Sequence, residues 1–185
     1  MRTVEALRAR LAEDEVAGIL QACALNKYER DLPREMVPEA EVTALYETLR
    51  ERLEREAARS ITRDAGLRTA KYVLTHRIPS VAQGLLPALP RPLGLRGLML
   101  AIRANAWTFA GSAQIRMRFS APASISLAGC PICRNARVKQ PACEYYAATF
   151  EHLFRTLVDP GYRVEEVACQ AEGARACVFQ IGLCD

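Results

Sequence analysis

Residues 162–182 have the sequence YRVEEVACQAEGARACVFQIG, which predicts two β-strands joined by a tight turn at the end of the chain. The predicted strands are Tyr162–Cys169 and Ala176–Gly182. Ala171, Glu172 and Gly173 supply the small, flexible residues that a turn between paired strands requires. This hairpin predicts an antiparallel sheet.

Two more strands and a helix are predicted immediately before the hairpin. Residues 115–119 alternate apolar side chains with arginines, which is typical of a half-buried strand. Apolar residues at 125 and 127 fit a strand that pairs with it. Pro141 then opens a helix that runs to about Val158 and is closed by an Asp-Pro-Gly turn.

The first part of the chain predicts helices. One helix is expected from Thr3 to about Ala24, with a break along it, and a second amphipathic helix from Pro38 to about Ser60. A third is expected from about Thr62 to Thr75. The fold class is therefore α+β, with N-terminal helices followed by a small antiparallel sheet with helices. We expect residues 1–60 to form a helical arm that packs on residues 61–185, the main part of the same domain.

A stretch rich in proline, glycine and leucine follows between Ile78 and Leu100. Its prolines and glycines predict only short helices, separated by turns. The leucines between them supply a large apolar surface. Two interpretations remain equally open: the mobile wall of a ligand pocket, or a set of turns that pack into the core.

The composition excludes several classes of protein. The 185 residues carry a net charge of only +4, without the basic helix or basic–aromatic stripe of a nucleic-acid-binding protein. The N-terminus lacks the apolar core of a signal peptide, and Arg96, Arg103 and Asn105 interrupt the most apolar stretch. We therefore expect a cytoplasmic protein without a membrane span, with a peripheral position at a membrane left open. Most of its basic residues are arginines, for which the codon bias of a GC-rich genome is the favoured explanation; the alternative is an acidic ligand, because guanidinium groups pair with carboxylates.

Six of the seven cysteines follow residue 129, and in a reducing compartment they indicate metal ligands or reactive thiols. Cys143 begins a helix, where the helix dipole favours the thiolate. Cys169 and Cys177 bracket the hairpin turn, and Glu166 lies on its first strand. Three thiolates and one carboxylate form a closed tetrahedral set, as in structural zinc sites. Glu166 and Cys169 would point to opposite faces of a regular strand, so the site requires a bulge or a turn near Val167.

The remaining cysteines carry weaker signals. Cys130 and Cys133 have a spacing that often opens a zinc or iron–sulfur site, but only one such pair is present. We favour two unligated thiols in a loop for this pair. Cys23 is expected to be buried on a helix, and Cys184 to lie in the tail.

Residues 143–181 resemble the 4-vinyl-reductase domain family. The matching motifs are CEYY at 143–146, EVAC at 166–169 and EGARACVF at 172–179. Members found in phenol-sensing transcription activators bind zinc through three cysteines and one glutamate. The spacing of those ligands corresponds to Cys143, Glu166, Cys169 and Cys177, the same set that thiol chemistry suggests. The resemblance implies a small mixed α/β fold like that of TRAPP subunits, which commonly dimerises, and so predicts a homodimer.

A longer resemblance covers about two thirds of the chain and concerns the J-protein family of bacteriochlorophyll biosynthesis. It is carried by GLRTAKY at 66–72, HRIP at 76–79, AWTFAGS at 106–112 and YYAATFE at 145–151. That family is traditionally regarded as reducing the 8-vinyl group of divinyl protochlorophyllide. The resemblance implies a magnesium porphyrin or another tetrapyrrole intermediate as ligand, and the enzymes of magnesium-porphyrin biosynthesis as partners.

The sequence shows no site for a redox cofactor. It has no glycine-rich dinucleotide motif and no P-loop, and zinc binding would leave too few well-placed cysteines for an iron–sulfur cluster. We therefore expect a tetrapyrrole-binding carrier or accessory protein, which needs only an apolar pocket and a few polar groups. The alternatives are an 8-vinyl reductase that depends on an external electron donor, and a small-molecule sensor module. No catalytic residue is assigned.

Three residues are candidate tetrapyrrole contacts. His76 can act as an axial ligand to magnesium, and Trp107 or Phe109 can stack on the macrocycle. The competing interpretations are a histidine that caps the end of a helix and two ordinary core aromatics.

Overall fold

The computed structural model describes residues 1–33 and 35–184, which form an α+β fold as predicted. The helices are α1 Arg2–Arg8, α2 Glu13–Ala22, α3 Glu39–Arg52, α4 Arg55–His76, α5 Ser80–Leu85, α6 Arg91–Ala104 and α7 Glu144–Leu157. The strands are β1 Gln114–Arg118, β2 Ala123–Ala128, β3 Tyr162–Ala168 and β4 Cys177–Leu183.

The four strands form one antiparallel sheet in the order β1-β2-β4-β3. The predicted terminal hairpin is present as β3 and β4, and the predicted pair 115–119 and 125–127 as β1 and β2. Because β2 pairs with β4, Leu127 lies opposite Cys177. The loop that follows β2 is therefore close to the start of β4, although the two are far apart in sequence.

Helix α7 covers one face of the sheet, and aromatic side chains fill the space between them. Phe150 packs edge-on against Phe179 of β4, with ring centroids 5.5 Å apart. Phe154 packs against Tyr162 of β3 at 5.8 Å. All four side chains are buried, which holds α7 in a fixed position over β3 and β4.

The N-terminal helices bury a second apolar cluster, formed by side chains of α1, α2, α3 and the first half of α4. The predicted helix end near Ser60 is wrong, because the break between α3 and α4 lies at Leu53 and Glu54, which have extended backbones. Leu53 packs against this cluster. Tertiary packing therefore sets the break, without a proline or glycine to mark it.

The expectation of only short helices between Ile78 and Leu100 is also wrong. Helix α6 is 14 residues long and begins at Arg91 and Pro92. Proline is favoured in the first turn of a helix, where its missing N–H has no partner to lose. Gly94 lies within α6 and faces Val158, whose Cγ1 would lie 3.0 Å from a Cβ at this position, so the glycine leaves room for this contact.

Within the described residues, no helix combines the length and the apolar composition needed to cross a membrane.

Candidate metal centre

Cys143 lies at the N-terminal end of α7, in the N-cap position. Its backbone N–H donates a hydrogen bond to Glu166 Oε2 at 2.7 Å. Both residues are buried, so this contact fixes the start of α7 to β3 inside the protein. The predicted position of Cys143 at a helix start is confirmed.

A β-bulge at Val167 resolves the strand-geometry problem raised by the sequence. Glu166 pairs with Phe179 and Ala168 pairs with Val178, so Val167 is an extra residue on β3. Val167 points outward and is 50% exposed, whereas Glu166 is buried. The extra residue changes the alternation of the strand and brings Glu166 and Cys169 to the same side. The bulge predicted near Val167 is confirmed.

The turn between β3 and β4 brings Cys169 and Cys177 together. Their sulfur atoms are 3.9 Å apart, and both residues are fully buried. Gly173, with a φ of +97°, closes the short turn of residues 170–172 in a conformation that favours glycine. The backbone N–H of Gln170 donates to Cys177 Sγ at 3.4 Å.

One ligand atom from each of Cys143, Glu166, Cys169 and Cys177 lies within 4.8 Å of all the others. The sulfur atoms of Cys143 and Cys177 are 3.7 Å apart. Zinc–sulfur bonds of about 2.3 Å at tetrahedral angles place neighbouring sulfurs about 3.8 Å apart. The spacing of the donors therefore fits a single tetrahedral ion.

Cys130 and Cys133 join the same cluster, which the sequence did not predict. Cys130 Sγ is 3.7 Å from Cys143 Sγ, and Cys133 Sγ is 3.3 Å from Cys177 Sγ. These four cysteines form a second group whose sulfur atoms lie within 4.8 Å of one another. The sequence favoured a loop with two unligated thiols for this pair; in the structure the β2–β4 pairing brings the Cys130–Cys133 turn to Cys177, where both thiols join the buried cluster. In the sequence, the Cys-X-X-Cys spacing is the one feature that points to a metal-binding role for these two residues.

The electrostatics of the cluster favour a bound cation. Burial raises the pKa of Glu166 to about 9, and the negative charge of Cys169 adds to the rise. The thiols of Cys133, Cys143 and Cys177 stabilise the thiolate of Cys130 and lower its pKa. Several groups that become negative on deprotonation are thus held together away from water, an arrangement that a metal ion stabilises.

An orphaned carboxylate oxygen supports the fit to a metal. Glu166 Oε2 accepts the hydrogen bond from Cys143, but Glu166 Oε1 is buried without a hydrogen-bond partner among the described residues. A buried oxygen without a partner is costly, and a metal bond would satisfy it. The donor set therefore fits a thiophilic divalent ion.

The three candidate tetrapyrrole contacts lie in different surroundings. His76, at the end of α4, is exposed, and its ring stacks on Tyr72 with centroids 4.5 Å apart. Trp107 is 65% exposed. The Phe109 ring instead packs on the core aromatics Tyr146 and Phe150. No aromatic contact in the described part of the chain joins His76 to the other two.

Two small cavities are lined in part by residues of the cluster. One, of about 190 Å³, is lined by Cys130, Cys133 and the residues that follow them. The other, of about 270 Å³, is lined by Glu166, Glu144 and two arginines of α4. Both are smaller than the usual range of ligand pockets, roughly 300–1,000 Å³.

Comparison with known proteins agrees with this architecture. Residues 123–183, which contain β2, α7, β3, β4 and all six clustered donors, match the V4R domain, the 4-vinyl-reductase domain that the motifs predicted. The cluster thus lies within a V4R-domain protein.

Two relatives extend the similarity to most of the chain. The bacteriochlorophyll synthase 23 kDa chain of Cereibacter sphaeroides is 44% identical over 146 residues, which cover 79% of this chain and 70% of the relative. The protein of the same name from Rhodobacter capsulatus is 38% identical over 144 residues, covering 78% and 67%. The chain belongs to the family of these bacteriochlorophyll synthase 23 kDa chains.

Proposed function

We propose that this chain acts in bacteriochlorophyll biosynthesis, where it binds a tetrapyrrole intermediate as a carrier or accessory factor and uses zinc to stabilise its fold. The role in the pathway is supported by the names of the two relatives. The intermediate is a magnesium porphyrin or divinyl protochlorophyllide, and the partners are the enzymes that make and use it.

The zinc part of the proposal is supported by the donor chemistry. Thiolates are soft ligands that select zinc over magnesium or calcium. Cys143, Cys169, Cys177 and Glu166 supply four donors, and all four are buried. A closed set of this kind leaves no open position for a substrate, as in structural rather than catalytic zinc sites. The ion would link the start of α7 to both ends of the terminal turn.

The tetrapyrrole part is supported by one observation, an exposed apolar face on α6. Leu93 and Leu100 lie seven residues apart on this helix and are 54% and 52% exposed. Trp107 follows at the same spacing, just after the helix ends. Residues seven apart share one side of a helix, so Leu93 and Leu100 lie on the same exposed face of α6, and Trp107 is an exposed aromatic in the short turn that follows the helix. We propose that a flat macrocycle packs on these three apolar side chains. We call Leu93, Leu100 and Trp107 the α6 face.

Two arginines add a charged component to the α6 face. Arg96 and Arg103 are exposed and fall between its apolar residues at helical spacing. A guanidinium group can hold a propionate carboxylate in a bidentate pair. An apolar ring system that carries propionate matches this combination of leucine, tryptophan and arginine.

A spectroscopic titration tests the proposal. Adding divinyl protochlorophyllide to the purified protein should shift the absorption bands of the pigment. Leu100→Glu should weaken binding by at least about tenfold, because it places a charge in the apolar surface. Leu183→Glu is the matched control, since Leu183 is an exposed leucine on β4, outside the α6 face. The absence of any shift with magnesium porphyrins would contradict tetrapyrrole binding and leave the α6 face as a surface for a protein partner.

An experiment on the same mixture distinguishes a carrier function from a reductase function. We propose that adding NADPH to the complex leaves the vinyl group intact. Conversion to the ethyl product by the purified protein alone would contradict the carrier proposal. Conversion only after an electron-donating protein is added would instead support the reductase alternative.

A homodimer remains a prediction from the family resemblance. Light scattering at high micromolar concentration should report twice the mass of one chain, and a monomer would contradict it.

A further inference from the structure

The cluster contains more donors than one tetrahedral ion can use. Five thiols and one carboxylate belong to the two groups whose ligand atoms lie within 4.8 Å of one another. The zinc set uses Cys143, Cys169, Cys177 and Glu166, which leaves Cys130 and Cys133 without a role. Both are buried, so they are not incidental surface thiols.

The two groups share Cys143 and Cys177. These sulfur atoms are 3.7 Å apart, close to the edge of a zinc–thiolate tetrahedron, which is about 3.8 Å. Cys130 contacts one member of this pair at 3.7 Å, and Cys133 contacts the other at 3.3 Å. The two groups of four donors therefore meet at one shared pair of sulfur atoms, those of Cys143 and Cys177.

The turn that carries Cys130 and Cys133 is held in place by distant parts of the chain. Thr43 Oγ1 of α3 donates to the carbonyl of Pro131 at 2.9 Å. Arg50 Nη1 of α3 donates to the carbonyl of Ile132, also at 2.9 Å. These hydrogen bonds fix the backbone between the two cysteines, whose thiols both contact sulfur atoms of the cluster.

The start of the same turn is hydrogen-bonded to the terminal hairpin. The side-chain oxygen of Gln170 accepts hydrogen bonds from the backbone N–H groups of Gly129 and Cys130, both at 2.8 Å. Gln170 also donates its own N–H to Cys177 Sγ. One residue therefore links the Cys130–Cys133 turn to a shared cysteine.

We propose that this chain holds a binuclear metal centre, in which the thiolates of Cys143 and Cys177 bridge two thiophilic divalent ions such as zinc. The first ion is also bound by Glu166 and Cys169, and the second by Cys130 and Cys133. The inference rests on the proposed zinc site and adds the second ion to it. Two divalent ions offset four of the six negative charges that the fully deprotonated donors carry.

Metal content provides the first test. The full chain, purified with zinc, should contain about two zinc ions per chain by elemental analysis. Cys130→Ser/Cys133→Ser should contain about one, because the first set remains complete. Cys23→Ser/Cys184→Ser is the matched control, since neither cysteine belongs to the cluster, and should retain two. Circular dichroism should confirm that each variant is folded.

Cadmium NMR tests the bridge in the unaltered chain and so does not depend on how a variant folds. Replacing zinc by ¹¹³Cd should give two resonances, one from a site with four sulfurs and one from a site with three sulfurs and an oxygen. The two signals should show mutual coupling, since two thiolates connect the ions. Two uncoupled signals would overturn the bridge.

The number of metal ions per chain distinguishes a failure of the binuclear centre from a failure of the proposed zinc site. One ion per chain, unchanged by Cys130→Ser/Cys133→Ser, would overturn the binuclear centre and retain the zinc site. A folded chain without metal would overturn both.

Discussion

Glu166 supplies a carboxylate to a proposed metal centre whose other donors are thiols. One of its oxygens holds the backbone of Cys143, and the other is buried among thiols without a partner. Burial raises its pKa to about 9, so in the metal-free protein the side chain carries a proton at neutral pH. A metal ion would displace that proton and bind the oxygen it leaves.

Glu166→Gln is therefore predicted to weaken metal binding without much effect on the metal-free protein. The amide can still accept the hydrogen bond from Cys143, but it cannot supply an anionic ligand. We expect zinc affinity to fall by at least about tenfold in competition with a chelator, since even the loss of an outer-shell partner costs about 10–100-fold. Glu165→Gln, on the exposed face of the same strand, is the control. Equal affinities for the two variants would contradict a ligand role for Glu166.

The sequence predicts part of the centre because part of it is local. The hairpin brings Cys169 and Cys177 together, and strand periodicity, with Glu166 and Cys169 in one site, required a bulge or a turn near Val167, where the structure has a bulge. Cys130 and Cys133 could not be placed in this way. Their position depends on β2–β4 pairing and on side chains of α3 that are more than 80 residues away in the chain.

At the scale of the elements, α4 and α7 pack closely against each other at Gly66. A Cβ at Gly66 would lie 2.3 Å from the carbonyl oxygen of Tyr145, well inside van der Waals contact. Thr149 of α7 donates a hydrogen bond to the Gly66 carbonyl at 3.1 Å across the same contact. Gly66 therefore permits a helix packing distance that no larger residue allows.

Gly66→Ala is predicted to lower the free energy of unfolding by about 1–3 kcal/mol, because the helices must move apart. Gly18→Ala in α2 is the matched control, since nothing lies within 4 Å of a Cβ there. That substitution should raise the free energy of unfolding by about 0.5–1 kcal/mol, the usual gain of alanine over glycine within a helix. Denaturant unfolding measures both. A stabilising effect of Gly66→Ala would contradict the close packing.

Glu39 connects the start of α3 to the loop before β1. It accepts hydrogen bonds from the backbone N–H and the hydroxyl of Ser112, at 2.6 and 3.0 Å, and pairs with Arg134 beside the cysteine turn. Partial burial would raise the pKa of Glu39, but these partners outweigh it and lower the pKa below its usual value. A carboxylate with a lowered pKa stabilises the fold above its unfolded-state pKa, and this contribution is lost as the pH falls.

Glu39→Gln is accordingly predicted to lower stability by about 1 kcal/mol at neutral pH, the net value of a typical hydrogen bond. The difference from the unaltered chain should shrink as the pH falls below about 4. Unfolding curves at several pH values test this, with Glu51→Gln, exposed on the same helix, as the control. A difference that stays constant with pH would contradict the role of the carboxylate.

Some helices and strands could likewise be predicted from nearby sequence, whereas others depend on contacts with distant residues. The strands follow from alternation, and α7 follows from its flanking breakers. The end of α3 does not, because Leu53 is fixed by packing against the N-terminal cluster rather than by a residue that stops helices.

Residues 1–33 and 35–184 form two apolar clusters, and the residues of the proposed metal centre belong to only one of them. The cysteines lie in the cluster formed by α7 and the sheet, whereas α1 and α2 pack in the other. Because the unfolded chain lacks the site, the free energy of metal binding adds to the free energy of folding. The metal should therefore stabilise mainly the part of the fold that is built on α7 and the sheet.

Removing the metal with a chelator should lower the midpoint of thermal unfolding and expose the amides around the centre. In hydrogen exchange, we expect protection to be lost first in residues 129–143 and in the β3–β4 hairpin. The amides of α2 should lose much less, since its contacts do not involve the cluster. Uniform loss over the whole chain would contradict a local centre, and no loss would contradict a stabilising one.

X-ray absorption at the zinc edge tests the central claim, a buried zinc–thiolate centre, most directly. On the purified full chain, the account predicts a first shell dominated by sulfur at about 2.3 Å, with a minor oxygen contribution at about 2.0–2.2 Å. Cys169→Ser should reduce the sulfur contribution, because Cys169 is a ligand in the proposed set. A first shell of oxygen and nitrogen alone, or a folded protein without zinc, would contradict the account.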